Sequence, residues 1–291
     1  AIYDHAETAF ETPERLFETV GLGEVRTRSG REYLTEHGVG SRFVDELVAG
    51  TTRTIYGQNP SINAVACLVA LTGMGSGTYT LDVANAELCR RLLADADAAV
   101  HTGTPVERIA VGDDETRLTA SGTTERYDAV CLAAPAEFAD IELSGASTPA
   151  GYGDRDFSEL SVAYVSGRLD PAYFGERAVE DLPGLVVTSA DSPTEFVHLR
   201  DVGEHADGPV YKLTTRDGAT PALLESLFAS VYELEEVSWR AFPRLEPETP
   251  TPPFRLTDGV YYVNAMESVA STMETQAIAG RTVANLVARD A

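Results

Sequence analysis

The first third of the chain follows a mainly helical pattern. Apolar side chains recur at helical spacing over 13–21, directly after Thr12, a typical capping residue that is followed by proline. Residues 86–99 are rich in Ala, Leu and Arg, which favours a longer helix. Residues 62–71 are apolar without a clear period, so they fit either a helix or a buried strand.

Shorter segments follow, in which apolar and polar residues alternate, and this pattern indicates strands. Turn-forming residues at Gly112 and at Ser121-Gly122 separate some of them. The predicted strands are 99–100, 106–111, 116–119 and 127–133. Residues 130–134, which include the end of the last strand, are apolar on both faces, as a strand buried in a parallel sheet is. Over residues 159–216, apolar and polar side chains alternate as they do in an antiparallel sheet. A helix is predicted over 221–232.

The last part of the chain combines a strand, 260–263, with a helix that begins at about Thr272. Ser271 and Glu274 fit a capping box, in which each side chain bonds the backbone amide of the other. A strand leading to a helix start brings unpaired amides and the positive end of the helix dipole together, which favours a phosphate or a polarised carbonyl. The predicted buried face of this helix consists of Met273, Ala277, Gly280, Ala284 and Val287. The glycine of this set should allow close approach to a sheet.

Charge and composition restrict the possible functions of the chain. Its 291 residues include 22 basic and 46 acidic side chains, which give a net charge of −24 at pH 7. This acidity argues against binding to nucleic acid or to an anionic membrane surface. Lys212 is the only lysine, and an acidic, lysine-poor surface is typical of proteins from a high-salt cytoplasm. An ordinary acidic protein from a genome that favours arginine codons is the alternative interpretation.

The sequence shows no pattern of a hydrolase, metal or disulfide site. The three cysteines form no C-x-x-C pair, and the five histidines have no metal-ligand spacing. There is no G-x-S-x-G turn for a nucleophilic serine and no G-x-G-x-x-G turn. No apolar run approaches the roughly 20 residues that span a bilayer. We therefore predict no metal site and no transmembrane segment, and a cytoplasmic location.

Four stretches of the sequence match motifs of a known enzyme family. Residues 53–64 (RTIYGQNPSINA) are similar to its Y-G-Q-x-x-x-I-N-A segment, and residues 238–243 (SWRAFP) to a W-x-x-[YF]-P segment. Residues 106–109 and 127–135 look like strands of the flavin domain in a wider group of oxidases. Residues 258–274 (DGVYYVNAMESVASTME) are close to D-G-x-Y-Y-x-N-x-x-E-x-x-A-S-x-M-E, the most specific motif. The chain thus resembles the prenylcysteine lyase/oxidase family, FAD-dependent thioether oxidases related to the flavin amine oxidases.

Two departures from the family pattern concern the cofactor. The family opens with a strand, a G-x-G-x-x-G turn and a helix that hold the FAD pyrophosphate, and this unit is absent from a sequence that begins at Ala1. A missing N-terminal segment is the simplest explanation. Paired glycines near the cofactor are replaced by Val83-Ala84, whose side chains would crowd it. The resemblance therefore implies an incomplete FAD-binding region.

The fold implied by the resemblance is a mixed α/β (α+β) fold of the FAD/NAD(P)-binding flavoprotein type. Its FAD-binding domain would be discontinuous, comprising residues 78–140 and 254–291 without the first βαβ unit. The substrate-binding domain would combine a sheet with helices and comprise residues 1–77 and 141–253.

The activity implied by the resemblance is oxidation of a small apolar, isoprenoid thioether. Hydride transfer to FAD, capture by water and reoxidation by O₂ would give an aldehyde, a free thiol and H₂O₂, without a strict need for an acid–base residue. The residues implied at the cofactor are Val106, Ala134, Pro135, Ser271, Thr272, Met273 and Glu274. The residues implied to line the substrate slot are Tyr56, Gln58, Trp239, Asn264 and Glu267. The backbone of Val106 would lie near the adenine, and the amides of 271–274 would face the pyrimidine edge of the flavin.

Two other functions remain open at this point. FAD chemistry also fits an amine oxidase or a polyene desaturase-like enzyme. Without the phosphate-binding turn, the chain also fits a binding module or a fragment that holds no cofactor.

Overall fold

The structure, a computed structural model, describes residues 2–74, 81–112, 115–189, 192–205 and 208–291. Its first third is helical, as predicted. The α-helices of this part are α1 (Pro13–Thr19), α2 (Gly23–Arg26), α3 (Gly30–Glu36), α4 (Ser41–Phe43), α5 (Ala49–Tyr56), α6 (Ala64–Thr72) and α7 (Asn85–Asp95). A 3-10 helix covers Ile2–His5 and a π-helical segment covers Val44–Val48. Within the described ranges, no helix is long and apolar enough to cross a membrane.

Side-chain caps explain where two of these helices begin. Thr12 Oγ1 accepts a hydrogen bond from the Arg15 amide at 3.3 Å, and a proline occupies the first turn of α1. Asn63 Oδ1 accepts from the Ala66 amide at 2.9 Å. This cap starts α6, so the ambiguous segment 62–71 is a helix rather than a strand.

A small sheet follows α7. The next strands along the chain are β1 (Val106–Val111), β2 (Thr116–Ala120), β3 (Thr123–Tyr127), β4 (Val130–Leu132) and β5 (Glu142–Ser144), with the short helix α8 (Ala136–Ala139) between the last two. The sheet has the order β3-β2-β1-β5, in which β1, β2 and β3 are antiparallel and β5 is parallel to β1. β4 belongs to another sheet.

Two predicted strands differ from the observed ones. Residues 99–100 form no strand, because Val100 is 58% exposed and no strand pairing among the described residues includes it. The strand predicted over 127–133 is divided, since β3 ends at Tyr127 and β4 begins at Val130 in a different sheet. The sequence also predicts burial on both faces for residues 130–134, yet Cys131 is exposed.

The largest sheet is antiparallel. Its strands are β6 (Phe157–Leu169), β7 (Leu185–Val187), β8 (Phe196–His205), β9 (Gly208–Thr215) and β10 (Phe228–Pro243), with helix α9 (Pro221–Leu227) before the last one. The order is β10-β6-β9-β8-β7, which confirms the predicted antiparallel sheet and adds β10 at its edge. The helix predicted over 221–232 ends at Leu227 instead, because Phe228 is buried and pairs with Leu169.

A three-stranded sheet holds the C-terminal part of the fold. Its strands are β4, β11 (Arg255–Thr257) and β12 (Val260–Tyr262), and the long helix α10 (Met273–Asp290) follows. β12 runs parallel to β4, with Val260 opposite Val130 and Tyr262 opposite Leu132. The predicted strand-to-helix unit is therefore present and lies beside β4.

Helix α10 begins one residue later than predicted and buries a different face. Thr272, not Ser271, is the capping residue, and it forms a reciprocal capping box with Thr275. Met273 is 61% exposed, and a Cβ atom at Gly280 would meet nothing within 4 Å. The buried side chains are Thr275, Ala279, Thr282, Val283 and Leu286. The larger side chains of this set fill the core, so they, rather than the small residues, decide the orientation of the helix.

Three apolar clusters form the core. The first joins the three-stranded sheet and α10 to the N-terminal segment, where Phe10, Leu16 and Phe17 pack in one cluster with Tyr262 and Leu286. The second lies within the large sheet and α9, and the third holds α3, α5 and α6 together. The predicted domain boundaries stay a prediction.

A buried glycine lies in the segment that connects β5 to β6. Gly151 has a φ of +80°, and a Cβ atom there would lie 2.5 Å from the carbonyl oxygen of Pro250. We expect Gly151→Ala to lower the free energy of unfolding by about 2–4 kcal/mol, because backbone strain and overpacking act together. Denaturant unfolding measures the loss.

The control is Gly38→Ala. Gly38 has a φ of +82°, and a Cβ atom there would meet nothing within 4 Å. We expect it to lose only about 1 kcal/mol, the cost of the left-handed backbone alone. Equal losses in both variants would contradict the role of crowding at Gly151.

Candidate functional site

The carboxyl ends of β4 and β12 begin the candidate site. The two strands are parallel neighbours and end opposite each other at Leu132 and Tyr262. Ala134 and Pro135 follow β4, and a 3-10 helix over Val263–Ser268 follows β12. In open α/β sheets, ligands bind outside the carboxyl ends of the strands.

A buried arginine, Arg155, connects the segments that follow these strands. Its Nε and Nη2 atoms donate to the two carboxylate oxygens of Glu137 at 2.6 and 2.7 Å. Nη1 lies 3.4 Å from Glu267 Oε2, and Nη2 donates to the Tyr262 hydroxyl at 3.0 Å. The side chains of Arg155 and Glu137 are 3% and 7% exposed. This network fixes the geometry at the strand ends.

The electrostatics of this network favour the charged forms of Glu137 and Arg155. Burial acts to raise the pKa of Glu137, but hydrogen bonds from Arg155 outweigh it and hold this pKa below its usual value. Sequence analysis identified neither Arg155 nor Glu137 as site residues. No spacing in the sequence indicates their contact, because they lie on segments that meet only in the folded chain.

Three of the predicted site residues meet at Glu267. Its carboxylate accepts from Asn264 Nδ2 at 3.3 Å and from Ser271 Oγ at 3.4 Å, in addition to its contact with Arg155. The structure therefore brings two predicted substrate residues and one predicted cofactor residue together, directly before α10.

The first turn of α10 adjoins this group. Thr272 Oγ1 accepts from the Thr275 amide at 3.1 Å, and Met273 and Glu274 are exposed. Gln276 Nε2 is buried and has no hydrogen-bond partner among the described residues. This turn thus combines exposed residues with an unsatisfied buried donor.

Two other predicted substrate residues lie at the junction where the end of α5 meets the end of β10. Tyr56 is fully buried, and its ring packs edge-on against Phe242 at 5.4 Å. Gln58 Nε2 donates to the Pro243 carbonyl, and its Oε1 accepts from the Leu245 amide, both at 3.0 Å. These contacts fix the path of the chain, and a role in lining the substrate slot stays a prediction for both residues.

The remaining predicted residues lie apart from this junction. Trp239 is on the edge strand β10 and is 45% exposed. Val106 is the first residue of β1 and packs against the first apolar cluster. The structure does not bring all predicted residues together at one point.

Among the described residues, no group of His, Cys, Asp and Glu side chains could hold a metal ion.

A large cavity, which sequence analysis did not identify, lies between α5 and the outer strands of the large sheet. Its volume is about 1240 Å³ and its wall is mostly apolar. Gly50, Thr54 and Phe196 line it together with β7 and Thr188. Small residues on one face of α5 contribute to its wall.

Comparison with known proteins places these features in a family. The family model described as prenylcysteine lyase matches residues 1–291. Farnesylcysteine lyase of Arabidopsis thaliana is 31% identical over 282 residues, which are 96% of this chain and 56% of that protein. Prenylcysteine oxidase 1 of Bos taurus is 26% identical over 317 residues, which are 98% of this chain and 61% of that protein. The chain thus spans less than two thirds of the length of these relatives.

Solved structures share the fold. Cyclohexylamine oxidase from Brevibacterium oxydans IH-35A has a TM-score of 0.58 at 14% identity, over 99% of this chain and 73% of that chain. A CLA-producing fatty acid isomerase from P. acnes has a TM-score of 0.62 at 12% identity, over 91% of this chain and 67% of that chain. At this identity the likeness shows the fold alone, and it confirms the predicted fold class. Because the family model covers every residue and confirms the resemblance seen in the sequence, the chain belongs to the prenylcysteine lyase family.

Proposed function

We propose that this protein is an FAD-dependent oxidoreductase that cleaves an isoprenoid thioether, with prenylated cysteine as the substrate class. The names of the relatives, farnesylcysteine lyase and prenylcysteine oxidase, support this class. The observation that carries the proposal is the buried network of Arg155, Glu137 and Glu267. It lies at the carboxyl ends of two parallel strands, next to the first turn of α10.

The first turn of α10 has donors that suit a flavin ring. The first amides of a helix have no partner within it, and Met273 and Glu274 are exposed. Gln276 Nε2 adds a buried donor without a partner among the described residues. Such donors fit the carbonyl oxygens of the pyrimidine ring, where negative charge develops on reduction. The predicted cofactor residues of this turn therefore fit FAD.

Bound FAD would supply the hydride acceptor. The residues of this chain would bind and orient the substrate, and the mostly apolar cavity beside α5 suits an isoprenoid chain because such a wall excludes water. The net reaction takes up one thioether, one water and one O₂, and it yields one aldehyde, one thiol and one H₂O₂. The described network holds Glu267 in place, and the reaction has no strict need for an acid–base residue.

Removal of the cap of α10 tests the cofactor site. We expect Thr272→Ala to weaken FAD binding about fivefold, because the cap holds the amides of the first turn in place. Isothermal titration calorimetry with FAD measures the change.

The matched control is Thr220→Ala. Thr220 Oγ1 accepts from the Leu223 amide at 3.2 Å and caps α9. Both variants should lose about 1 kcal/mol of stability, and only the variant at Thr272 should lose FAD affinity. Equal FAD affinity in the two variants would overturn this site.

Turnover separates the proposed reaction from the amine oxidase alternative. With FAD and S-farnesylcysteine, the protein should release thiol and H₂O₂ in equal amounts. Formation of H₂O₂ from a primary amine, without thiol release from the thioether, would instead support an amine oxidase.

A further inference from the structure

The structure contains a second buried arginine, Arg53 of α5, which is 6% exposed. Its Nε and Nη2 atoms donate to Thr188 Oγ1 at 3.2 and 2.8 Å, and its Nη1 atom donates to Asn59 Oδ1 at 3.3 Å. Both partners are neutral. No carboxylate of a described residue lies within 4.0 Å of this guanidinium. Arg53 is therefore a buried cation without a counter-charge among the residues that the structure describes.

This arrangement is unusual for the chain itself. The other buried arginine, Arg155, contacts two carboxylates. Acidic side chains outnumber basic ones 46 to 22, so carboxylates are plentiful. A buried charge costs free energy unless it is paired. Among the described residues, Arg53 thus lacks the charged partners that Arg155 has.

A second cation adds to the positive charge at this point. Arg216 Nη2 donates to the carbonyl oxygen of Gly57 at 3.1 Å, one residue beyond the end of α5. Burial lowers the pKa of Arg53, and the charge of Arg216 lowers it further. An anion bound here would offset both charges.

Arg53 also lies directly behind the wall of the large cavity. Thr188, which accepts two of its hydrogen bonds, lines that cavity, as do Gly50 and Thr54 from the same helix. A guanidinium has five N–H donors. Three of them are used in bonds to described residues, so two remain for a ligand.

We propose that Arg53 binds the carboxylate of the ligand while the apolar cavity holds its hydrocarbon chain. The inference rests on the proposed function and extends it, because it defines the ligand as a free acid: an S-alkylated cysteine with an unblocked carboxyl group. Esterification removes the negative charge and keeps the thioether, the amine and the prenyl chain. The acid and its ester therefore differ in the one feature that Arg53 recognises.

Equilibrium binding without added FAD tests the proposal on the unmodified chain. We expect S-farnesylcysteine to bind about tenfold or more tightly than its methyl ester in calorimetry, because charge-assisted hydrogen bonds form only with the acid. Equal affinities would overturn the inference and leave the proposed function standing. Binding of neither compound would contradict the proposed substrate class, and the inference with it.

Substitutions assign the preference to one residue. We expect Arg53→Gln to remove the preference for the acid while keeping the affinity for the ester, and Arg53→Lys to keep part of the preference. Arg168→Gln is the control, since Arg168 is an exposed residue of β6 that has no described carboxylate partner either. Circular dichroism melting checks that each variant folds. A full preference in Arg53→Gln would overturn the assignment, and the comparison of acid with ester tests the proposal even if that variant does not fold.

Discussion

Replacement of Arg155 by methionine is expected to lower the free energy of unfolding by about 3–5 kcal/mol, since loss of one partner leaves buried charges unpaired. Glu137 and Glu267 would keep carboxylates that are 7% and 12% exposed, without the cation that both contact. The Tyr262 hydroxyl would also lose a donor. Urea unfolding followed by circular dichroism measures the change.

The control for this prediction is Arg108→Met. Arg108 Nη2 contacts both carboxylate oxygens of Glu142, at 2.6 and 2.8 Å, but the side chains are 51% and 57% exposed. We expect a loss of at most about 1 kcal/mol, since solvent screens an exposed pair. If the two variants lost equal stability, burial would not be the cause and the network would have no special role.

The second large effect is a dependence of stability on pH that arises from His198. This residue of β8 is 7% exposed, and its Nε2 lies 3.0 Å from Thr214 Oγ1. Burial, followed by the charges of Lys212 and Arg200, lowers its pKa to about 4. In the folded state, His198 therefore resists protonation over a pH range in which the same residue of the unfolded chain accepts a proton.

The sign of the effect follows from this difference. The unfolded histidine has a pKa of about 6.5. Below this pH the unfolded state binds a proton that the folded state does not, so stability falls as the pH falls from about 6.5 to about 4. Between about pH 7 and about pH 4.5 we expect a loss of roughly 2 kcal/mol from this residue.

Unfolding measurements at both pH values check this expectation. His198→Gln should reduce the loss between the two pH values by roughly 2 kcal/mol relative to the unmodified protein. His37→Gln is the control, because His37 is exposed at the end of α3. An unchanged pH dependence in His198→Gln would contradict the assignment.

Much of the fold follows from local sequence patterns. The cap at Thr12, the antiparallel sheet and the strand-to-helix unit that leads to α10 are all predicted from neighbouring residues. The motif over 258–274 also identified the family, which the whole-chain match confirms. Asn264, Glu267 and Ser271 meet in the structure because they lie close together in that motif.

Contacts between distant segments could not be predicted in the same way. Arg155 meets Glu267 across 112 positions, and Arg53 meets Thr188 across 135. The end of α9 at Leu227 depends on the pairing of Phe228 with Leu169, which a helical pattern in the sequence does not show.

The sequence by itself therefore determined the family, the order of most elements and the short motif at the start of α10. Helix caps and the alternation of apolar and polar residues depend on residues that are close together in the chain, so the sequence alone can indicate them. Only the tertiary structure decided which face of α10 is buried, which arginine has carboxylate partners and where the cavity lies. These features depend on what surrounds a side chain in space, and burial and ion pairing are set by those neighbours.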